Sequence, residues 1–279
     1  MEIVDKHLPS GQKGFTLMPV GDIQYGAKGV AINHLKRDLA RAEEDGWYLL
    51  GMGDYLDNFS PSNRAALAAT KVGLHESAQD LIDGAVHDRV SELAKILQAP
   101  KGRWLGIVQG DHEWTFDDGQ PSDALLAKKL GAPYLGHSAI VRIFSKGIDR
   151  PFRIFVTHGR GASVVATGKT AHLERLASKF ECDAVLMGHA HLRYGVVVER
   201  MIWRDLPKGG TTLSAEKRVL GITGSYLKGY EEHTSSQGWA KGSYVEKAAM
   251  APVSLGHIRI TAWPEKEEWG WNWNVEVTS

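Results

Sequence analysis

The sequence predicts an α/β fold, and three observations carry that reading. Phe15 to Leu50 runs strand, helix, strand, the order of a parallel pair joined by a right-handed crossover. Short apolar runs repeatedly give way to acids or histidines, as strands do when their carboxyl ends open into the crevice of an α/β sheet. Late in the chain, Val196 to Trp203, Arg218 to Ile222, Leu255 to Ala262 and Trp269 to Val277 follow one another without helices, which predicts a second sheet added there.

The elements follow in order. Phe15 to Val20 is an apolar run that breaks at Gly21 and delivers Asp22-Ile23-Gln24. Val30 to Glu44 sets Ile32, Leu35, Leu39 and Ala42 at helical spacing and stops at Gly46. Trp47 to Leu50 is the next strand, followed by Met52-Gly53-Asp54-Tyr55-Leu56-Asp57, two carboxylates three positions apart. A short helix is expected over Asn63 to Thr70. A long one over Ser77 to Leu97 has Leu81, Val86, Val90, Leu93 and Ile96 as its core face. Trp104 to Val108 runs into Gly110-Asp111-His112-Glu113, and Ser122 to Leu130 is a helix. Ala139 to Phe144 and Phe152 to Val156 are strands leading to His158-Gly159, and Ala184 to Met187 is closed by Gly188-His189-Ala190-His191.

Gly168-Lys169-Thr170 looks like the end of a phosphate-binding loop, but that pattern needs glycine five residues before Gly168, where this chain has Ser163. The stretch reads instead as a glycine-rich loop leading into a helix over Ala171 to Phe180, whose amino end is suited to an anion. The row Trp269, Trp271, Trp273, Val275, Val277 alternates with polar neighbours and predicts a half-buried packing strand. Residues 223–253, rich in Gly, Ser, Tyr and Lys, have no clear period and read as a substrate-facing insertion in an otherwise single domain of 279 residues.

Composition narrows the function classes. Lys and Arg total 33 against 33 Asp and Glu, so no overall field draws the chain to nucleic acid or an anionic membrane. Cys182 is the sole cysteine, which excludes an internal disulfide framework and a zinc site of several thiolates. Met1 to Gly14 has no apolar core of signal-peptide length, and no apolar run reaches the roughly 20 residues a membrane helix needs. A soluble cytoplasmic protein is expected. Twelve histidines beside one cysteine point to nitrogen and oxygen ligands.

Collected, the groups at strand ends are Asp22 with Gln24, Asp54 with Asp57, Asp111 with His112, His158, and His189 with His191. Five such clusters, each at the end of an apolar strand, predict a dinuclear metal site. Their order, Asp-x-Gln, Gly-Asp-x-x-Asp, Gly-Asp-His-Glu, His-Gly, Gly-His-x-His, resembles the calcineurin-like metallophosphoesterase superfamily over about Val20 to His191. The resemblance implies a four-layer α/β/β/α fold, a two-sheet β-sandwich flanked by helices. It implies a first metal held by Asp22, Asp54 and His191, with position 24 as a further ligand, and a second held by Asp54, Asp111, His158 and His189, with Asp54 bridging. His112 would be the catalytic histidine, oriented by Asp57. The glycine loop with Arg160, and the Gly224-Ser225-Tyr226-Leu227-Lys228 and Gly242-Ser243-Tyr244 segments, also resemble metallophosphoesterases carried by bacteriophages, which extends the expected location to the cytoplasm of an infected bacterial host.

Three departures matter. Gln24 stands where the family has a histidine ligand, so the first site should be looser. Asp111 stands for a neutral asparagine and adds an anion, which favours harder ions: Mn²⁺ first, with Mg²⁺, iron, Zn²⁺ or Ni²⁺ as other candidates. Asn58 stands where protein serine/threonine phosphatases have a phosphate-gripping arginine. The implied activity is hydrolysis of phosphate esters, of nucleotides or nucleic acid, by in-line attack of a hydroxide shared by the two metals. Arg160, Tyr226, Lys228, Tyr244 and Lys247 are the expected substrate contacts, and the amino-acid sequence leaves the oligomeric state open. The alternative is a metal-binding accessory or structural protein that keeps the fold without turnover. His112 and Asp57, which are not ligands, favour catalysis.

Overall fold

The computed structural model describes residues 1–57, 61–160, 163, 165–230, 244–247, 249, 252 and 254–279, without the side chains of 61–63, 244 and 247. Among the described residues two sheets stack face to face. One contains β2 (Phe15–Val20), β3 (Tyr48–Gly51), β4 (Trp104–Val108), β5 (Tyr134–Gly136), β12 (Arg259–Glu267) and β13 (Gly270–Thr278), in the order β13-β12-β2-β3-β4-β5. The other contains β1 (Glu2–His7), β6 (Ser138–Phe144), β7 (Phe152–Thr157), β8 (Ala184–Met187), β9 (Arg193–Asp205), β10 (Thr211–Ser225) and β11 (Gly256–His257), in the order β1-β6-β7-β8-β10-β11 with β9 along β10. β2, β3, β4 and β5 are parallel, as are β7, β8 and β10.

The side-chain alternation of each strand builds the layers. Leu17, Leu50, Leu105, Ile154, Leu186, Val219 and Trp273 meet between the sheets. Met18, Val20, Leu49 and Ile107 face the other way, onto α1 (Ile32–Glu44), α3 (Glu76–Leu97) and α4 (Ser122–Leu130). Phe155, Val185, Leu220 and Ile222 pack on Leu173 and Ala177 of α5 (Ala166–Ala177). The result is the expected helix, sheet, sheet, helix stack, with α2 (Pro61–Lys71) tied to the loop after β4 through Arg64 and the Glu113 carbonyl. No helix among the described residues is long and apolar enough to cross a membrane.

The structure departs from the sequence reading at several elements. The late strands form no sheet of their own: β9 and β10 extend the sheet of β6 to β8, while β12 adds antiparallel to β2. β1 was not expected, because only one side of it pairs and none of its residues is fully buried, with Glu2, Asp5 and Lys6 among them. Leu81 is 74% exposed, and Leu97 is buried on that helix instead. α5 starts at Ala166, five residues before the expected Ala171, so that Gly168 and Lys169 lie in its first turn.

Candidate metal centre

The carboxyl ends of β2, β3 and β4 in one sheet, and of β7 and β8 in the other, open at the same edge of the sandwich. Asp22, Asp54, Asp111, His158 and His189 each lie within three residues beyond one of these strands. The chain must turn sharply there, and Asp22, Gln24, Asp54, His189 and His191 all take positive φ, between 46° and 62°. Such conformations cost about 1–3 kcal/mol each and gather at functional sites. Gly53 turns with φ +93°, and a side chain there would drive into the His158 ring. A Cβ at Gly188 would sit 2.7 Å from the Met52 carbonyl. Glycine at both positions therefore lets the loops that carry these residues come together.

Asp54 is the centre of the cluster. Its Oδ1 accepts the backbone N–H groups of Asp111, at 2.6 Å, and His112, at 3.0 Å. Its Oδ2 lies 3.3 Å from His158 Nε2, 3.8 Å from His112 Nε2, and accepts from Gln24 Nε2 at 3.1 Å. One oxygen of Asp54, one nitrogen of His158 and one of His189 fall within 4.8 Å of one another, a spacing that suits a cation. Asp111 Oδ2 is 3.1 Å from His189 Nδ1, and Asp22 Oδ1 is 3.3 Å from His191 Nε2.

The ring nitrogens are fixed from behind. His158 Nδ1 donates to the Met52 carbonyl at 2.7 Å, which turns Nε2 towards Asp54. Ser225 Oγ donates to the Asp22 carbonyl at 3.0 Å and accepts from Leu227 N–H at 3.0 Å, so its remaining lone pair takes the Nδ1–H of His191, also at 3.0 Å. His191 thereby presents Nε2 to Asp22. Ligating histidines are commonly oriented through their second nitrogen in this way. Sequence reasoning gave Ser225 no role, and its place next to the end of β10, beside the other strand ends, was the available signal.

Asp22 is wholly buried and Asp54 and His158 are each 3% exposed. Buried carboxylates need compensating charge. Burial holds the Asp22 carboxyl above the usual range against the pull of His191 and His158. Burial would raise Asp54 too, but His158, then His112 and the Asp111 N–H, keep it well below the usual range. Burial pushes His158 down, yet Asp54 and Asp22 lift it to about 10. The His189 ring lowers Asp111, and that contact raises His189. The proton on His158 does the balancing that a cation would do more fully. Asp22 Oδ1, His158 Nε2 and His189 Nδ1 are buried without a hydrogen bond. These three atoms, held only by ion-pair contacts at 3.1–3.3 Å and all of ligating type within one cluster of carboxylates and imidazoles, fit divalent cations.

His112 stands beside this centre, with Nδ1 3.2 Å from Asp57 Oδ1 and Nε2 towards Asp54. Burial lowers its pKa, but Asp57 and Asp54 raise it above the ordinary value. Its loop is held by groups that sequence reasoning did not find. Asp123, pushed up to about 7 by burial, accepts Gly110 N–H at 2.8 Å, and Arg64 of α2 donates to the Glu113 carbonyl at 2.8 Å. Among the expected substrate contacts, Arg160 and Lys228 are exposed. Tyr226 does not face the site: it is 1% exposed, with its hydroxyl 2.9 Å from Asp38 Oδ2 and 3.1 Å from His257 Nδ1. The Tyr244 and Lys247 side chains, Asn58 and most of the 223–253 insertion lie outside the described residues.

No protein-family model and no curated protein matches the chain. Among solved structures, it is similar to vacuolar protein sorting 29 from Cryptosporidium parvum, at 14% identity and TM-score 0.38 over 96% of this chain and 100% of that one. It is similar to vacuolar protein sorting 29 from Chaetomium thermophilum, at 13% and 0.37 over 96% and 97%. A predicted phosphoesterase from Streptococcus pneumoniae is similar at 11% and 0.36, over 95% of this chain and 100% of that one. Likeness at these values decides nothing about activity.

Proposed function

We propose that the protein is a metal-dependent phosphoesterase that holds two divalent cations, Mn²⁺ by preference, and hydrolyses phosphate esters of nucleotides or nucleic acid. One observation carries this reading. Buried atoms of Asp22, His158 and His189 that make no hydrogen bond gather with Asp54 in one cluster of carboxylates and imidazoles, and the His112–Asp57 pair stands beside them without being needed to complete the set. Asp54 with Asp22 and His191 would hold one cation, and Asp54 with Asp111, His158 and His189 the other. Bound there, such cations supply Lewis-acid polarisation of a phosphoryl oxygen and a water acidic enough to ionise near neutral pH.

The protein's own groups supply the rest. Asp57 fixes the His112 ring through Nδ1 and stabilises its charged form, and His112 Nε2 then gives a proton to the departing oxygen of the ester. The backbone N–H groups of Asp111 and His112 hold Asp54 Oδ1, so the shared carboxylate does not swing when charge builds on the phosphate. A second reading, a metal-binding scaffold without turnover, is favoured by Gln24, whose amide donates to Asp54 Oδ2 where the resembling family places an imidazole ligand.

Turnover of p-nitrophenyl phosphate and bis-p-nitrophenyl phosphate, with each metal in turn, separates the two. The phosphoesterase reading predicts metal-dependent hydrolysis that Asp54→Ala abolishes and that His112→Ala lowers by about 10²–10⁴ with metal still bound. Tight metal binding with no turnover of either ester would establish the scaffold instead.

A further inference from the structure

The Gly168-Lys169-Thr170 stretch is no nucleotide-binding loop, yet it ends at the metal centre. Lys169, in the first turn of α5, donates from Nζ to the Ala190 carbonyl at 2.7 Å. Ala190 separates His189 from His191, so the ammonium lies against the loop that carries both rings. An ammonium has three N–H donors and Ala190 takes one. Among the described residues no carboxylate forms an ion pair with Lys169, although its side chain is half-buried. Burial lowers its pKa, and the charge of Asp22 opposes this. The other cations nearby differ. Arg64 is committed to the carbonyl and, at 3.3 Å, the carboxylate of Glu113, and Arg160 is exposed.

We propose that Lys169 is a substrate-binding residue: its two remaining N–H donors hold a non-bridging phosphate oxygen, and its charge selects phosphomonoesters over phosphodiesters. This rests on the phosphoesterase reading. A monoester near neutral pH carries close to two negative charges on its phosphoryl oxygens and a diester carries one. A half-buried ammonium without a carboxylate partner therefore stabilises the monoester more. The donor to Ala190 keeps the ammonium in place before substrate arrives.

The test uses the full chain loaded with Mn²⁺, as wild type, Lys169→Gln and Lys169→Arg. Glutamine keeps a donor towards Ala190 and removes the charge; arginine keeps both. kcat and KM are measured for p-nitrophenyl phosphate and bis-p-nitrophenyl phosphate, with Mn²⁺ affinity by calorimetry. Wild type should prefer the monoester in kcat/KM. Lys169→Gln should raise KM for the monoester about tenfold or more while changing the diester less than about threefold, with Mn²⁺ affinity unchanged, and Lys169→Arg should restore the monoester. Equal losses on both esters, or a loss of Mn²⁺ affinity that accounts for them, would reduce Lys169 to a latch on Ala190. Should the glutamine variant not fold, a wild-type preference for the diester overturns the proposal by itself and a monoester preference that Lys169→Arg retains supports it. No turnover of either ester by metal-loaded wild type removes the phosphoesterase reading and this proposal with it. Turnover with an unchanged ester ratio removes only the role of Lys169.

Discussion

Replacing Ser225 by alanine isolates the orientation of a ligand from the ligand itself. Ser225 Oγ is wholly buried and makes three contacts at 3.0 Å, to the Asp22 carbonyl, the Leu227 N–H and His191 Nδ1. Without it the His191 ring loses the partner that aims Nε2 at Asp22 and is free to turn or change tautomer. Loss of such an outer partner costs about 10–100-fold in metal affinity, equivalent to about 1.4–2.8 kcal/mol. The half-buried Leu227 N–H also loses its partner, a loss of about 0.5–1.5 kcal/mol in stability. Mn²⁺ titration calorimetry reads the first effect, and urea unfolding in chelator reads the second. Both losses are expected. A variant less stable in chelator but with wild-type Mn²⁺ affinity would show that Ser225 staples the turn and leaves His191 untouched.

Two further outcomes are expected from other parts of the structure. Gln24→His removes an amide that donates to Asp54 Oδ2 and brings an imidazole nitrogen to the same buried position, at a φ of 55° that histidine tolerates. The weaker metal should bind about fivefold tighter or more, near 1 kcal/mol, and unchanged affinity by calorimetry would mean that position 24 points away from the cations. In the first half of β10, buried Glu216 accepts from Arg150 and Arg204 on Oε1 and twice from Arg200 on Oε2, at 2.5–2.8 Å. Burial would raise its pKa, but Arg150 and Arg200 hold it below the ordinary 4.5. Its stabilisation is therefore present above about pH 4.5 and is lost as pH falls through the lower folded value. Glu216→Gln should cost about 3–5 kcal/mol at pH 7. The variant should also show a shallower loss of stability below pH 4.5 than wild type; parallel acid unfolding curves would contradict this.

The site was legible because its residues follow strands whose apolar runs stand out, as at Met18 to Val20 and Ala184 to Met187. Strand ends that converge need no long-range information to be grouped together. Both sheets were less legible. β1 pairs on one side only, so Glu2, Asp5 and Lys6 break the apolar pattern that marks a buried strand. The late strands were seen, but which sheet each joins is set by pairing partners distant in sequence, such as Ile260 with Leu17, and no local periodicity records that. Tyr226 read as a substrate contact because tyrosine in a Gly-Ser-Tyr segment suits either role; Asp38, on a helix 188 residues away in sequence, decides that its hydroxyl is buried. The second nitrogens of His158 and His191 were beyond sequence reading for the same reason, since a backbone carbonyl and a serine brought in by folding fix them.

The central claim is that the strand-end carboxylates and imidazoles are a metal centre, and anomalous diffraction from crystals soaked in Mn²⁺ tests it most directly. Two peaks that share Asp54 are expected, one bordered by Asp22 and His191 and the other by Asp111, His158 and His189, with the peak next to Gln24 the weaker. A full-occupancy soak with no peak within bonding distance of Asp54 Oδ2 and His158 Nε2 would contradict the claim, and would leave the His158 proton as the charge that balances the buried acids.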